Sequence, residues 1–374
     1  MLDPEQFFAC LQDHDVSFFT GVPDSLLKDF CACISHNAVP HQHIIAANEG
    51  GAVALALGHH LATGKIPLVY LQNSGVGNII NPLLSLVDPE VYAIPLLLVI
   101  GWRGEPGVHD EPQHKKQGRV MLAMLDSMDI PYSIVDTEME QAKATVAHAY
   151  HTAHTTNGPF ALIVKKGTFR PYPLPHPSTP MTGLTREEAI QHILDEVRDE
   201  DIVVSTTGMP SREVFECRSH HHQGHHRDFL TVGGMGHASQ IALAIALHKT
   251  DRTVICLDGD GAVLMHMGAL AINGTAPAQN LKHIVLNNGA HDSVGGQPTV
   301  GFHIDIASIA KAAGYHTAAQ AHTAEGIKEE FGHIRQIRGP NLLEIRIKTG
   351  ARKDLGRPTL TPVENKQGFM TFLS

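Results

Sequence analysis

Short apolar runs that end in glycine or a small polar residue, separated by helix-length stretches, recur along the whole chain and constrain it to one architecture. Residues 16–19, 67–71, 95–100 and 160–164 form such runs, and helical stretches lie over 5–12, 51–62 and 138–154. After a proline cluster the alternation resumes at 202–204, 229–232, 253–257, 283–286 and 342–347. Strands alternating with helices pair in parallel, and uniformly apolar runs are buried on both faces. The expectation is an α/β chain of two doubly wound domains, each a mostly parallel sheet covered by helices. Pro171, Pro173, Pro175, Pro177 and Pro180 mark residues 170–184 as an extended linker, leaving 1–169 and 185–374 as the domains. Asp3 to Gln6 and Thr185 to Glu188 read as helix capping boxes.

Composition narrows the function classes. A formal charge of −10 argues against nucleic acid or an acidic membrane as partner, because those need basic patches. Cys10, Cys31, Cys33, Cys217 and Cys256 have neither a zinc spacing nor a disulfide framework, so reduced thiols in a cytoplasmic protein are expected. The first residues lack the basic and apolar regions of an export signal, and the run at 93–100 is too short to span a bilayer. The histidines at 220–226 are crowded in a polar, Gly-containing stretch and read as a solvated loop, since their spacing fixes no coordination geometry.

Two strand ends carry the chemistry. The run Thr253 to Leu257 leads into Asp258-Gly259-Asp260-Gly261-Ala262, and the run from His283 ends in Asn287-Asn288. This order puts a carboxylate and a carboxamide at the ends of neighbouring strands, hard oxygen donors suited to Mg²⁺ shared with a diphosphate. Glycines admit phosphate oxygens to the backbone, and a helix starting near Ala262 would turn its N-terminus toward them. A dinucleotide site is the rival: Leu230 to Ser239 reads strand, glycines and helix, with Gly234 and Gly236 as the first two glycines. Ser239 stands where a third glycine or alanine belongs, and an NAD-dependent dehydrogenase leaves Asn287 and Asn288 unexplained.

The stretch from Gly259 to Asn288 resembles the metal-diphosphate motif of the thiamine-diphosphate enzyme superfamily. That resemblance implies Mg²⁺ held by Asp260, Asn288 and the Ala290 carbonyl, a pyrimidine-binding first domain and a diphosphate-binding second domain. It also implies that Glu49, in Ala46-Ala-Asn-Glu-Gly-Gly, hydrogen-bonds N1′ of the aminopyrimidine, activating the cofactor. Gly233 would accept from the 4′-amino group and Met235 would wedge beneath the cofactor, with Thr206, Thr207 and Gly208 as further diphosphate contacts. The superfamily's usual assembly implies at least a homodimer.

Within the superfamily, Thr20-Gly-Val-Pro-Asp-Ser25, Gly101-Trp-Arg-Gly-Glu-Pro-Gly107, Asp110-Glu-Pro-Gln-His114 and Asn287 to Gln297 are similar to decarboxylases acting on 3-phosphonopyruvate. These are two-domain enzymes without a middle domain, working in phosphonate biosynthesis of the 2-aminoethylphosphonate type and releasing phosphonoacetaldehyde and carbon dioxide. Sulfopyruvate or another small 2-oxo acid is the alternative substrate. A non-enzymatic descendant would have no need to keep Glu49, Asp260 and Asn288 together. The resemblance points to His114 for proton transfer and leaves Ser25, Arg103 and His109 as the candidates for an anionic tail, ahead of Lys28 and Lys115.

Overall fold

The computed structural model describes residues 1–173 and 183–374. The chain forms two compact units, Met1–Pro177 and Ser178–Ser374. Pro175, Pro177 and Pro180 of the expected linker lie outside the described residues, whereas Pro171 and Pro173 lie in chain without regular structure.

The first unit is a sheet of β1 (Phe19–Gly21), β2 (His43–Ile45), β3 (Leu68–Gln72), β4 (Leu96–Gly101), β5 (Tyr132–Ile134) and β6 (Pro159–Val164). Every pairing is parallel, in the order β2-β1-β3-β4-β6-β5. The chain leaves β1 for β2 on one side and returns to β3 on the other, so the topological switch lies between β1 and β3. Crevices form at such a switch beyond the strand carboxyl ends, where Asp24, Ser25, Asn73 and Gly75 follow in the sequence. Central β4 is buried along its whole length, as its apolar run requires. One face packs on Phe7, Phe30 and Phe169 and the other on Val53, Ile79 and Met121. Truncating Leu97 or Leu98, both fully buried, would cost about 2–5 kcal/mol through lost burial and the cavity left behind.

The second unit repeats the plan with β7 (Ile202–Ser205), β8 (Asp228–Leu230), β9 (Val254–Gly259), β10 (Leu281–Asn287), β11 (Thr317–Ala321) and β12 (Asn341–Arg346). All pairings are again parallel, in the order β11-β12-β10-β9-β7-β8. Its switch lies between β7 and β9, whose ends carry Thr206 to Gly208 and Asp260. Among the described residues no helix is long and apolar enough to cross a membrane.

Three strands have no counterpart among the apolar runs: β2, β5 and β11. All three are edge strands, with half-exposed residues in place of a buried run. The Thr185 capping box forms in both directions. At the N-terminus only the Asp3 half forms, Oδ1 accepting from the Glu5 amide at 2.9 Å with Pro4 as the first helical residue.

Candidate active site

In the second unit, Gly259 pairs with Leu286 across β9 and β10, so Asp260 and Asn287-Asn288 leave the sheet side by side. The helix expected near Ala262 begins at Asp260 itself and is one short segment, Asp260–Met265. The Asp260 side chain is buried and accepts from the Thr299 hydroxyl. Burial pushes its pKa up to about 6, partly offset by Thr299 and by the backbone amides of Asn288, Asp260 and Gly261. A Cβ on Gly301 would stand 2.7 Å from Asp260 Oδ2, so only glycine lets that backbone lie against the carboxylate.

Residues 289–299 fold back on themselves. The Thr299 amide donates to the Gly289 carbonyl at 2.8 Å and the His291 amide to the Gln297 carbonyl at 2.8 Å. Ala290 and Pro298 face each other between these bonds as a non-hydrogen-bonded antiparallel pair. The polar groups of such a residue point away from the partner strand, to one edge. The Ala290 amide on that edge donates to Asn288 Oδ1 at 3.0 Å. The Asp260 carboxyl accepts from the Asn288 amide and Asn288 Oδ1 from the Ala290 amide, so the three residues meet at one strand end. Asn287 turns elsewhere: its Nδ2 donates to Gly301 at 2.8 Å and to Glu344 at 2.7 Å, tying β10 to its neighbours.

The other glycine loops close on the same end of this unit. The Thr206 amide donates to the Leu257 carbonyl at 2.8 Å, while its buried hydroxyl has no partner among the described residues. Gly208 adopts φ +95°, and Gly234 and Gly236 adopt φ +67° and +84°. A Cβ at 236 would meet His266 Cδ2 at 2.5 Å and the Ala262 carbonyl at 2.9 Å, so the loop carrying Gly233 and half-buried Met235 lies on the turn that follows Asp260. A buried acid, an orphaned hydroxyl and close-lying glycine backbone suit a metal-bound diphosphate.

Sequence reasoning missed the support beneath. Cys256, Asp258 and His283 are buried together on one face of β9 and β10. Asp258 Oδ1 accepts from the Gly259 amide at 3.1 Å, and His283 Nδ1 lies 2.9 Å from the Tyr315 hydroxyl. Alternation along β9 places Cys256 and Asp258 on the same face, but His283 and its partner Tyr315 come from other segments.

In the first unit Glu49 is the first residue of the helix Glu49–Thr63, capped by Asn48 Oδ1, which accepts from the Gly51 amide at 2.8 Å. Its carboxylate is buried, and Asn78 Nδ2 donates to Oε2 at 2.8 Å. Gly75, in the turn after β3, lies against it.

The tail candidates Ser25 and Arg103 also meet, but Arg103 is not a free cation. Its Nε donates to Asp110 Oδ2 at 2.8 Å, its NH2 arm to Asp110 Oδ1, and its NH1 arm to Ser25 Oγ at 2.6 Å. A largely buried guanidinium demands such a carboxylate partner. Burial alone would raise the Asp110 pKa; Arg103 and the Gly104 amide pull it down to about 2. Behind them Asp24 is fully buried, accepting from Gln72 at 2.5 Å and the Leu26 amide at 2.9 Å; burial raises its pKa, with Gln72 opposing. Arg103, His109, Asp110 and Lys166 line a cleft of about 180 Å³. His114, two residues into its helix, is mostly buried, and burial followed by the Arg103 charge lowers its pKa to about 4. It is therefore neutral near pH 7. Lys28 and Lys115 are exposed. The segment 219–226 is mostly exposed, with His225 stacked on Phe215 at 3.9 Å between ring centroids.

Both units match thiamine pyrophosphate enzyme domains: the N-terminal TPP binding domain over residues 4–120 and the C-terminal TPP binding domain over 206–345. Fold and matched domains define a thiamine-diphosphate-dependent enzyme. Phosphonopyruvate decarboxylase of Streptomyces viridochromogenes is 34% identical, covering 100% of this chain and 96% of the relative. The enzyme of the same name from Streptomyces hygroscopicus is 32% identical, covering 100% and 94%. Sulfopyruvate decarboxylase of Methanosarcina acetivorans is 27% identical, covering 92% and 91%. The chain belongs to the phosphonopyruvate decarboxylase family, carbon–carbon lyases that depend on thiamine diphosphate.

Proposed function

We propose that this chain decarboxylates 3-phosphonopyruvate to phosphonoacetaldehyde and carbon dioxide with Mg²⁺ as the metal, in phosphonate biosynthesis. The observation that carries the cofactor assignment is the buried Asp260 carboxyl accepting from the Asn288 amide, with Asn288 Oδ1 bonded in turn by the Ala290 amide. The phosphonate substrate follows from the two relatives that match the chain end to end.

When bound, thiamine diphosphate supplies a thiazolium that accepts the electron pair released as carbon dioxide leaves. In this reading the second unit binds the diphosphate. Asp260, Asn288 and Ala290 hold the metal, while Thr206, Thr207, Gly208, Gly259, Gly261 and Ala262 face the phosphates. Gly233 takes the 4′-amino group and Met235 supports the rings. The first unit binds the aminopyrimidine, with Glu49 holding the proton at N1′. Ser25, oriented by Arg103, and the cleft lined by His109 bind the acid. Neutral His114 accepts or relays a proton near the reacting carbon. A homodimer is the minimal proposed assembly, and five buried free cysteines favour the cytoplasm.

The sulfopyruvate relative supports a second reading, because both tails are tetrahedral anions. Side-by-side turnover of phosphonopyruvate, sulfopyruvate and pyruvate decides between them. The proposal expects kcat/KM for phosphonopyruvate to exceed the others by about 100-fold or more, since a site built to bond a group rejects substrates lacking it. Equal or better turnover of sulfopyruvate would transfer the assignment.

A further inference from the structure

Asn288 does not stand alone at the strand end. Its Nδ2 donates to Asp292 Oδ2 at 2.7 Å, and the same oxygen accepts from Arg186 NH1 at 3.0 Å and from the Gly350 amide at 2.9 Å. Arg186 in turn forks onto Glu213, Nε to Oε2 at 2.8 Å and NH2 to Oε1 at 3.1 Å. The Arg186 and Glu213 side chains are only 5% and 2% exposed, so this is an internal chain of charges and not a surface ornament. Asp292 lies just past the turn from Asn288, whereas Arg186 begins the helix Arg186–Asp195 and Glu213 lies in the helix Met209–His220.

A carboxamide has two ends of similar shape and opposite hydrogen-bonding character. Three donors converge on Asp292 Oδ2, which therefore acts only as an acceptor and takes the amide nitrogen of Asn288. The other end is fixed just as firmly, because the Ala290 amide is a donor and bonds Oδ1. One lone pair of Oδ1 is used there and the second is left for a cation. We propose that Asp292 is a positioning residue that keeps the oxygen of Asn288 toward the metal, and that Arg186 and Glu213 act by holding Asp292. This rests on the reading of Asp260, Asn288 and Ala290 as metal ligands. Removing the acceptor leaves the orientation to the Ala290 amide alone, so the carboxamide is less firmly held with its oxygen toward the cation.

The test is a Mg²⁺ titration of thiamine diphosphate binding to the full-length protein, read by calorimetry without substrate, alongside the thermal midpoint of the metal-free form. Asp292→Ala is expected to weaken Mg²⁺ by about 10- to 100-fold, the range typical when a group orienting a metal ligand is lost. Asp292→Asn keeps an acceptor oxygen for Asn288 and Arg186 and is expected to stay within about threefold of the native chain. If Asp292→Ala yields no folded protein, Asp292→Ser, whose hydroxyl is too short to reach the amide, takes its place with the same expectation. Native Mg²⁺ affinity in a folded Ala or Ser variant, or equal losses in Asn and Ala, would overturn the positioning role. Absence of Mg²⁺-dependent cofactor binding in the native chain would instead remove the metal-site reading.

Discussion

Gly75 lies directly on the carboxylate of Glu49: a Cβ at position 75 would stand 2.5 Å from Oε1 and 2.7 Å from Cδ. Glu49 is anchored at the start of its helix, so an added methyl must displace either the carboxylate or the turn after β3. Gly75→Ala is therefore expected to lower kcat by about 100-fold, the scale of an ångström-sized misplacement of a catalytic group. Cofactor affinity should change little, because Asp260 and its neighbours belong to the other unit. Steady-state kinetics beside a cofactor titration separates the two, and an unchanged kcat would mean Glu49 has room to adjust.

Asp260 gives a pH dependence with a defined sign. Its pKa is raised to about 6 by burial, so the proton and Mg²⁺ compete for one carboxyl. Mg²⁺ affinity should fall by about tenfold per unit as pH drops below about 6 and level off above it. In the metal-free protein the stability this group contributes runs the opposite way. A raised pKa favours the folded state at low pH, and that contribution is lost as pH rises through about 6. Asp260→Ala should abolish both trends along with Mg²⁺-dependent cofactor retention, which calorimetry at several pH values measures.

The Arg103–Asp110 pair changes what a mutation at Arg103 tests. With Asp110 held at about 2, the pair stays ionised throughout the working range, and the NH1 arm serves Ser25. Arg103→Ala should reduce kcat/KM for phosphonopyruvate by at least about tenfold more than for pyruvate, which has no tail for Ser25 to bond. Matching losses on both substrates would make the pair a support of the loop alone.

Burial at His114 also sets an acid limit. Its pKa of about 4 lies below that of an exposed histidine, so the folded state favours the neutral ring. The stability this contributes is complete above about pH 6.5 and is lost as pH falls through about 4. His114→Gln should flatten that part of the acid-unfolding curve, measured by circular dichroism at fixed temperature.

The two parallel sheets were legible because buried interior strands such as β4 and β6 are near-continuous apolar runs, whereas the edge strands β2, β5 and β11 were not, because half-exposed chain carries no such run. Asp260, Asn288 and Glu49 were legible because each stands at the end of a strand or the start of a helix in a short motif. Their supports were not. Thr299 and Asp292 lie beyond a turn, Asn78 sits 29 residues from Glu49, and Glu213 reaches Asn288 only through Arg186 and Asp292. The pairing of Arg103 with Asp110 was not legible either, because nearness in sequence does not reveal a bidentate bond.

The account turns on Glu49 acting upon a cofactor that it does not itself retain, and hydrogen–deuterium exchange at C2 of bound thiamine diphosphate, in Mg²⁺ and without substrate, measures that step alone. Glu49→Gln preserves size and leaves Asp260, Asn288 and Ala290 untouched, so cofactor binding should persist. The exchange rate should fall by about 10²- to 10⁴-fold, the usual contribution of a positioned acid–base group. Native-rate exchange in a variant that binds the cofactor normally would contradict the role given to Glu49.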